Sequence, residues 1–121
     1  YGRLGADGKP RPLHIEKALD VTKRERPQIP YGNTGKTEKT DFGSVRQLAS
    51  CNLFTAEIME LNGSTSLKYD DSFISAVVLE GEVAIGFDDE KLTAAKGAGV
   101  FIPAGLQVRL YGNAKLLLSR V

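Results

Sequence analysis

Few side chains in this sequence have types and spacing that could do chemistry. His14 is the single histidine and sits between Leu13 and Ile15. A lone imidazole beside two apolar residues more often makes a structural hydrogen bond than it serves as a base or ligand. Cys51 is the single cysteine, has no recognisable catalytic partner, and reads as a small buried hydrophobe near the start of a strand. The carboxylate pairs Asp70-Asp71 and Asp88-Asp89 would suit acid–base work, yet both fall at predicted turns, where aspartate serves the local backbone. The stretch "GNTGKT" at 32–37 suggests a phosphate cradle. That pattern needs a glycine where Pro30 stands, an apolar strand before it and a helix after it, and the sequence has none of these. The expectation is that these residues hold no catalytic group, cofactor-binding residue or metal ligand.

The totals bound what else is open. A chain of 121 residues suits one domain, and 41% hydrophobic residues are enough for one core. Charges nearly cancel, with 16 Lys+Arg against 15 Asp+Glu, so there is no electrostatic case for nucleic acid or a membrane surface. The mixed run Lys23-Arg24-Glu25-Arg26 reads as a solvated segment. No apolar run approaches the roughly 20 residues that cross a bilayer, and the first fifteen residues lack the apolar stretch a signal peptide would be expected to show. A single cysteine argues against a disulfide-stapled secreted fold, and the expected compartment is the reducing cytoplasm. The first residue is Tyr1, not methionine, and "YGRLGADGKP" reads as the middle of a longer polypeptide.

The elements that would position any site follow from the punctuation. "GADGKPRP" is turn-rich, and "LHIEKALDV" is either one short helix or an extended arm. From there to Gly43 no apolar periodicity appears, so 1–43 reads as an arm and connecting loop. After Ser44 strands take over. "NLFTAEIMEL" carries apolar residues on both faces, as a strand covered on two sides would. "NGS" at 62–64 reads as a turn into "STSLKY", and "FISAVVLEG" and "EVAIGF" are strand-like runs hinged at Gly81. "DDE" at 88–90 closes a hairpin onto "KLTAAK". "GVFIP", "QVRLY" and "KLLLSRV" follow, separated by Pro-x-Gly and Gly-Asn. So many short strands hide their edges in a closed barrel or sandwich, and 44–121 is predicted to be an all-β jelly roll.

"GAGVFIPAGLQV", residues 97–108, carries the spacing Gly97-x5-Pro103-x-Gly105-x-x-Val108. This is similar to the second signature of the cupins, small metal-binding β-barrels, and "VLEGEV" at 78–83 resembles the end of the first. A cupin normally places His-x-His and then Glu ahead of its "LEGE" turn, and one more His after Pro-x-Gly. In "KYDDSFISAVVLEGE", Tyr69 and Asp71 fall near the histidine positions, and Val108 stands at the last one. Zinc and non-haem iron need imidazoles with some carboxylate help, so this donor set predicts a metal-free barrel.

"YGRLGADGKPRPLHIEKALDVT" together with "LFTAEIMELNGS", "DDSFISAVVLEGE", "KGAGVFIPAG" and "GNAKLLLSRV" resembles the C-terminal part of bacterial class I mannose-6-phosphate isomerases of the short Gram-positive type. The resemblance covers nearly the whole chain and is weakest across 27–45. It implies two cupin-like barrels and zinc-dependent interconversion of mannose 6-phosphate and fructose 6-phosphate. Zinc is then expected in an N-terminal barrel upstream of this chain, held by Gln, His, Glu and His. The family's essential arginine lies in Tyr-Arg-x-Tyr-Asp, and "YGR" matches the residues just after it. On that register Arg3 is not the essential arginine, although a slip would make it so. "GKTE" at 35–38 echoes a Lys-Thr-Glu of the zinc-binding segment, but no Gln-x-His precedes it and it reads as coincidence.

The resemblance implies a supporting domain whose partner is the N-terminal catalytic barrel of the same chain, with a sugar phosphate as the parent's substrate. Isolated, such a domain is expected to be inactive and open to homodimerisation through its exposed face. The alternative is a stand-alone degenerate cupin that binds or senses a small sugar in its interior.

Overall fold

The computed structural model describes residues 3–12, 15–22 and 35–121. His14, Pro30, the Lys23–Arg26 cluster and the first half of "GNTGKT" lie outside the described residues. In the arm, "GADGKP" folds into a tight turn: the Gly5 amide donates to the Lys9 carbonyl at 2.7 Å, and Leu4 bridges Pro10. Of the two readings left open for "LHIEKALDV", the helix is observed as α1 (Ile15–Val21), seven residues long with none buried. So short a helix gains little from its own backbone.

Seven strands follow: β1 (Thr37–Thr40), β2 (Gly43–Ser50), β3 (Thr55–Leu67), β4 (Ile74–Phe87), β5 (Glu90–Ala95), β6 (Gly99–Ile102) and β7 (Val108–Arg120). All pair antiparallel in the order β1-β2-β3-β7-β4-β5, with β6 on the free part of β4. The all-β expectation holds, and the β4–β5 hairpin closes at Asp88-Asp89 as read, with Asp88 at φ 50°.

Three readings of the punctuation are corrected. Asn62-Gly63-Ser64 is no turn, because β3 runs through it with Gly63 paired to Gly112. Gly112-Asn113 likewise lies within β7, while Gly81, read as a hinge, is a bend inside the single strand β4. These glycines bend long strands instead of ending short ones. Gly81 takes φ +74°, and a methyl there would run into the Asn113 carbonyl oxygen, so only glycine lets β4 cross β7 at this bend. The third correction concerns 37–43: Thr37–Thr40 forms β1 and pairs with β2 from Gly43 to Arg46. Its four residues are all exposed, two charges flanked by threonines, which hides an edge strand from apolar periodicity.

Alternation then sorts the side chains. Met59 and Leu61 of β3, Ile74, Ala76, Val78, Val83 and Ile85 of β4, and Val108, Leu110, Leu116 and Leu118 of β7 point inward and are buried. No polar or charged residue is buried among the described residues. The outer face of β2-β3-β7-β4-β6 carries two uncharged cross-strand rows over its central strands. Ile58, Leu117 and Val77 are directly paired in one, and Ala56, Ser119, Ser75 and Phe101 in the next. Glu60, Lys115 and Glu80 form a charged row at one border.

Candidate functional site

Two corners bring the sequence motifs together. The Gly97 amide donates to the Val78 carbonyl at 2.8 Å and the Lys96 amide to the Gly81 carbonyl at 3.1 Å, joining "KGAG" to "LEGE". The Gly105 amide donates to the Tyr69 carbonyl at 2.8 Å, which pins the Pro-x-Gly loop to the segment ahead of β4. The frame that would present ligands is therefore assembled, and the side chains it presents are different in kind. Val108 is 2% exposed and belongs to the core cluster, against which half-buried Tyr69 and Leu106 also pack. Asp71 is exposed, and Asp70 is paired with Lys68 at 3.1 Å on the surface. Among the described residues no three His, Cys, Asp or Glu side chains come together, and no buried side-chain nitrogen or oxygen lacks a hydrogen-bond partner. Around Val108 the walls are aliphatic, and no set of three donors of the kind zinc takes stands there among the described residues.

One polar cluster was missed from sequence. Arg120, the last residue of β7, and Glu57, early in β3, have the same parity as their inward neighbours Leu118 and Met59. Arg120 Nη1 donates to Glu57 Oε2 at 2.7 Å and Nη2 to Oε1 at 3.4 Å. The guanidinium carbon also lies 5.1 Å from the centre of the Tyr69 ring. The hydrogen bond to Glu57 raises the Arg120 pKa above its ordinary value, partial burial opposes the rise, and Tyr69 adds to it. Parity marks each charge as the next residue of an inward run, but only the register of β3 on β7 shows that the two meet. With both charges satisfied, the cluster closes the end of the barrel and leaves no free base or electrophile.

Cys51 is exposed, which corrects its reading as a buried hydrophobe. It lies in the turn after β2, where its Sγ accepts from the Leu53 amide at 3.4 Å. The Gly35-Lys36-Thr37 end of the apparent phosphate cradle leads into β1 and not into a helix. Arg3 is exposed, and its carbonyl accepts from the Arg11 amide at 3.1 Å. An open groove of about 650 Å³ lies over the strand bends, lined by Lys39, Glu60, Asn62, Glu80, Asn113 and Lys115 among others. No helix among the described residues is long and apolar enough to cross a membrane.

Known proteins give this arrangement its context. The chain is 32% identical over 122 residues to mannose-6-phosphate isomerase ManA of Bacillus subtilis (strain 168) and 25% identical to the putative mannose-6-phosphate isomerase YvyI of the same organism. It is matched over its full length and spans 38% of the length of each of these relatives. Among solved structures, a mannose 6-phosphate isomerase from Bacillus subtilis superposes with a TM-score of 0.74 at 24% identity, covering 100% of this chain and 38% of that one. An RmlC-like cupin from Shewanella frigidimarina superposes with a TM-score of 0.64 at 14% identity, covering 78% of this chain and 90% of that one. The fold is the cupin jelly roll. The family model for the cupin domain of mannose-6-phosphate isomerase matches residues 44–121, and the chain belongs to that family.

Proposed function

We propose that this chain is the supporting barrel of a mannose-6-phosphate isomerase and carries none of the groups that perform the reaction. One observation carries the reading: Val108 fills, at 2% exposure, the position to which the Pro-x-Gly corner would deliver a ligand. A buried valine with apolar neighbours stabilises a barrel, whereas a buried imidazole without partners costs it. Zinc and the residues that move the proton then belong to a second barrel, the sugar phosphate is that barrel's substrate, and the work is cytoplasmic. The relatives' greater length and the exposed free thiol of Cys51 support this reading.

The test has two parts. The purified chain, assayed on mannose 6-phosphate with zinc added, should show no turnover. A chimaera in which this chain replaces the matching segment of the Bacillus subtilis isomerase should be an active isomerase. Turnover by the chain alone, or an inactive chimaera, would overturn the proposal.

A further inference from the structure

The outer face of β2-β3-β7-β4-β6 is built as a covered surface. A sheet face turned to water is expected to be polar, whereas the central strands of this one carry Ile58, Leu117 and Val77 in a row, with Arg46 beside Ile58 at the β2 edge and Ser75 and Ser119 in the next row. Ile58, Leu117 and Val77 sit side by side on three adjacent central strands, each half-buried by its neighbours alone. Beyond them Phe101 and Phe73 stack with ring centres 4.9 Å apart while 63% and 37% exposed. Water is a poor neighbour for a stacked phenylalanine pair, and such pairs anchor protein interfaces. The charged row Glu60–Lys115–Glu80 gives the patch a polar rim.

With strands about 4.8 Å apart and rows about 6.7 Å apart, the face measures on the order of 400 Å². That is the size of the largest patch on a typical monomer, roughly 300–600 Å² and often a functional one, and doubled it lies within the roughly 600–1,500 Å² of inter-domain contacts. None of α1 is buried, so the described arm residues gain no cover from this sheet. Relatives that match the whole of this chain carry most of their length beyond the match.

We infer that this face, centred on Leu117 and Phe101, is the seat of the isomerase's catalytic barrel. The inference rests on the supporting role proposed above and adds to it the surface through which support acts. A rigid apolar contact holds the two barrels in one orientation, with the charged row setting the register at its border.

Thiol labelling tests this independently of activity. In a Cys51→Ser background, Phe101→Cys and Leu92→Cys each place one thiol at an exposed apolar position, Leu92 lying on β5 away from the face. Labelling is measured in the free chain and in the Bacillus subtilis chimaera. The Phe101→Cys thiol should react readily in the free chain and about tenfold or more slowly in the chimaera, with the Leu92→Cys thiol unchanged. Equal Phe101→Cys reactivity in both overturns the inference while an active chimaera leaves the supporting role standing. Protection with an inactive chimaera does the reverse. Protection already present in the free chain, by its own arm or by a second copy, also overturns it, and sedimentation distinguishes those two occupants.

Discussion

Arg120 and Glu57 meet in a two-pronged ion pair 63 residues apart in sequence, on the inward side of neighbouring strands β7 and β3. The two charges sit where the apolar stripes of their strands run out. There they close the barrel's end, and the guanidinium packs on Tyr69.

Replacing Arg120 by Met should lower stability by roughly 1–2 kcal/mol, the sum of a fork-shaped charged hydrogen bond and a cation–ring contact. The pH behaviour separates Arg120 from a lysine. Its pKa is raised on folding, so its contribution is complete below the unfolded-state value and is lost only as pH rises through the still higher folded value, in strong alkali. Arg120→Lys should therefore lose stability relative to the wild type as pH climbs past about 10, where an ammonium titrates. Denaturant midpoints at pH 7 and 10.5 measure this, and parallel loss in both proteins would contradict it.

Restoring the missing ligand should not restore a metal site. Val108→His puts an imidazole into a pocket of aliphatic walls and should cost roughly 2–4 kcal/mol from overpacking and an unpaired polar group. Added zinc should neither bind stoichiometrically nor recover the lost stability, as read by calorimetric titration and thermal melts. Tight zinc binding with recovered stability would mean that polar groups reach the interior after all.

The bend in β4 depends on one residue. Gly81→Ala forces a side chain into a left-handed backbone against the Asn113 carbonyl and should cost about 2 kcal/mol or more. Gly99→Ala meets open space on β6 and should change stability by under about 0.5 kcal/mol. Urea unfolding of both variants checks the contrast, and equal effects would show that β4 can cross β7 without a glycine.

The fold class was legible because alternation survives in 55–61 and 74–87, and because Asp88-Asp89 marks a two-residue hairpin that needs no tertiary context. Strand length was not legible. Gly63 and Gly112 look like stops in sequence and act as bends, as the hinge Gly81 does, since a glycine that ends a strand and one that bends it beside a neighbour differ only in what stands opposite. β1 escaped because a charged edge strand has no apolar face to reveal it. Val108 was readable as an apolar filler through the resemblance of 97–108 to the second cupin signature. Glu57 and Arg120 were not singled out, because partnership between strand ends so far apart appears only once the register is known.

Strand order has a consequence for how the chain comes to its structure. β7 lies between β3 and β4 and pairs with both along most of its length. It is also the last of the seven strands to be synthesised. The local hairpins β1–β2 and β4–β5 can form as they emerge, but β3 and β4 then wait, at about 5–20 residues per second, with unpaired edges facing outward. Closure is thus a late event that depends on distant pairing, of the kind that makes β-rich chains slow to fold. During that interval the nascent chain is most in need of protection from sticking to its neighbours.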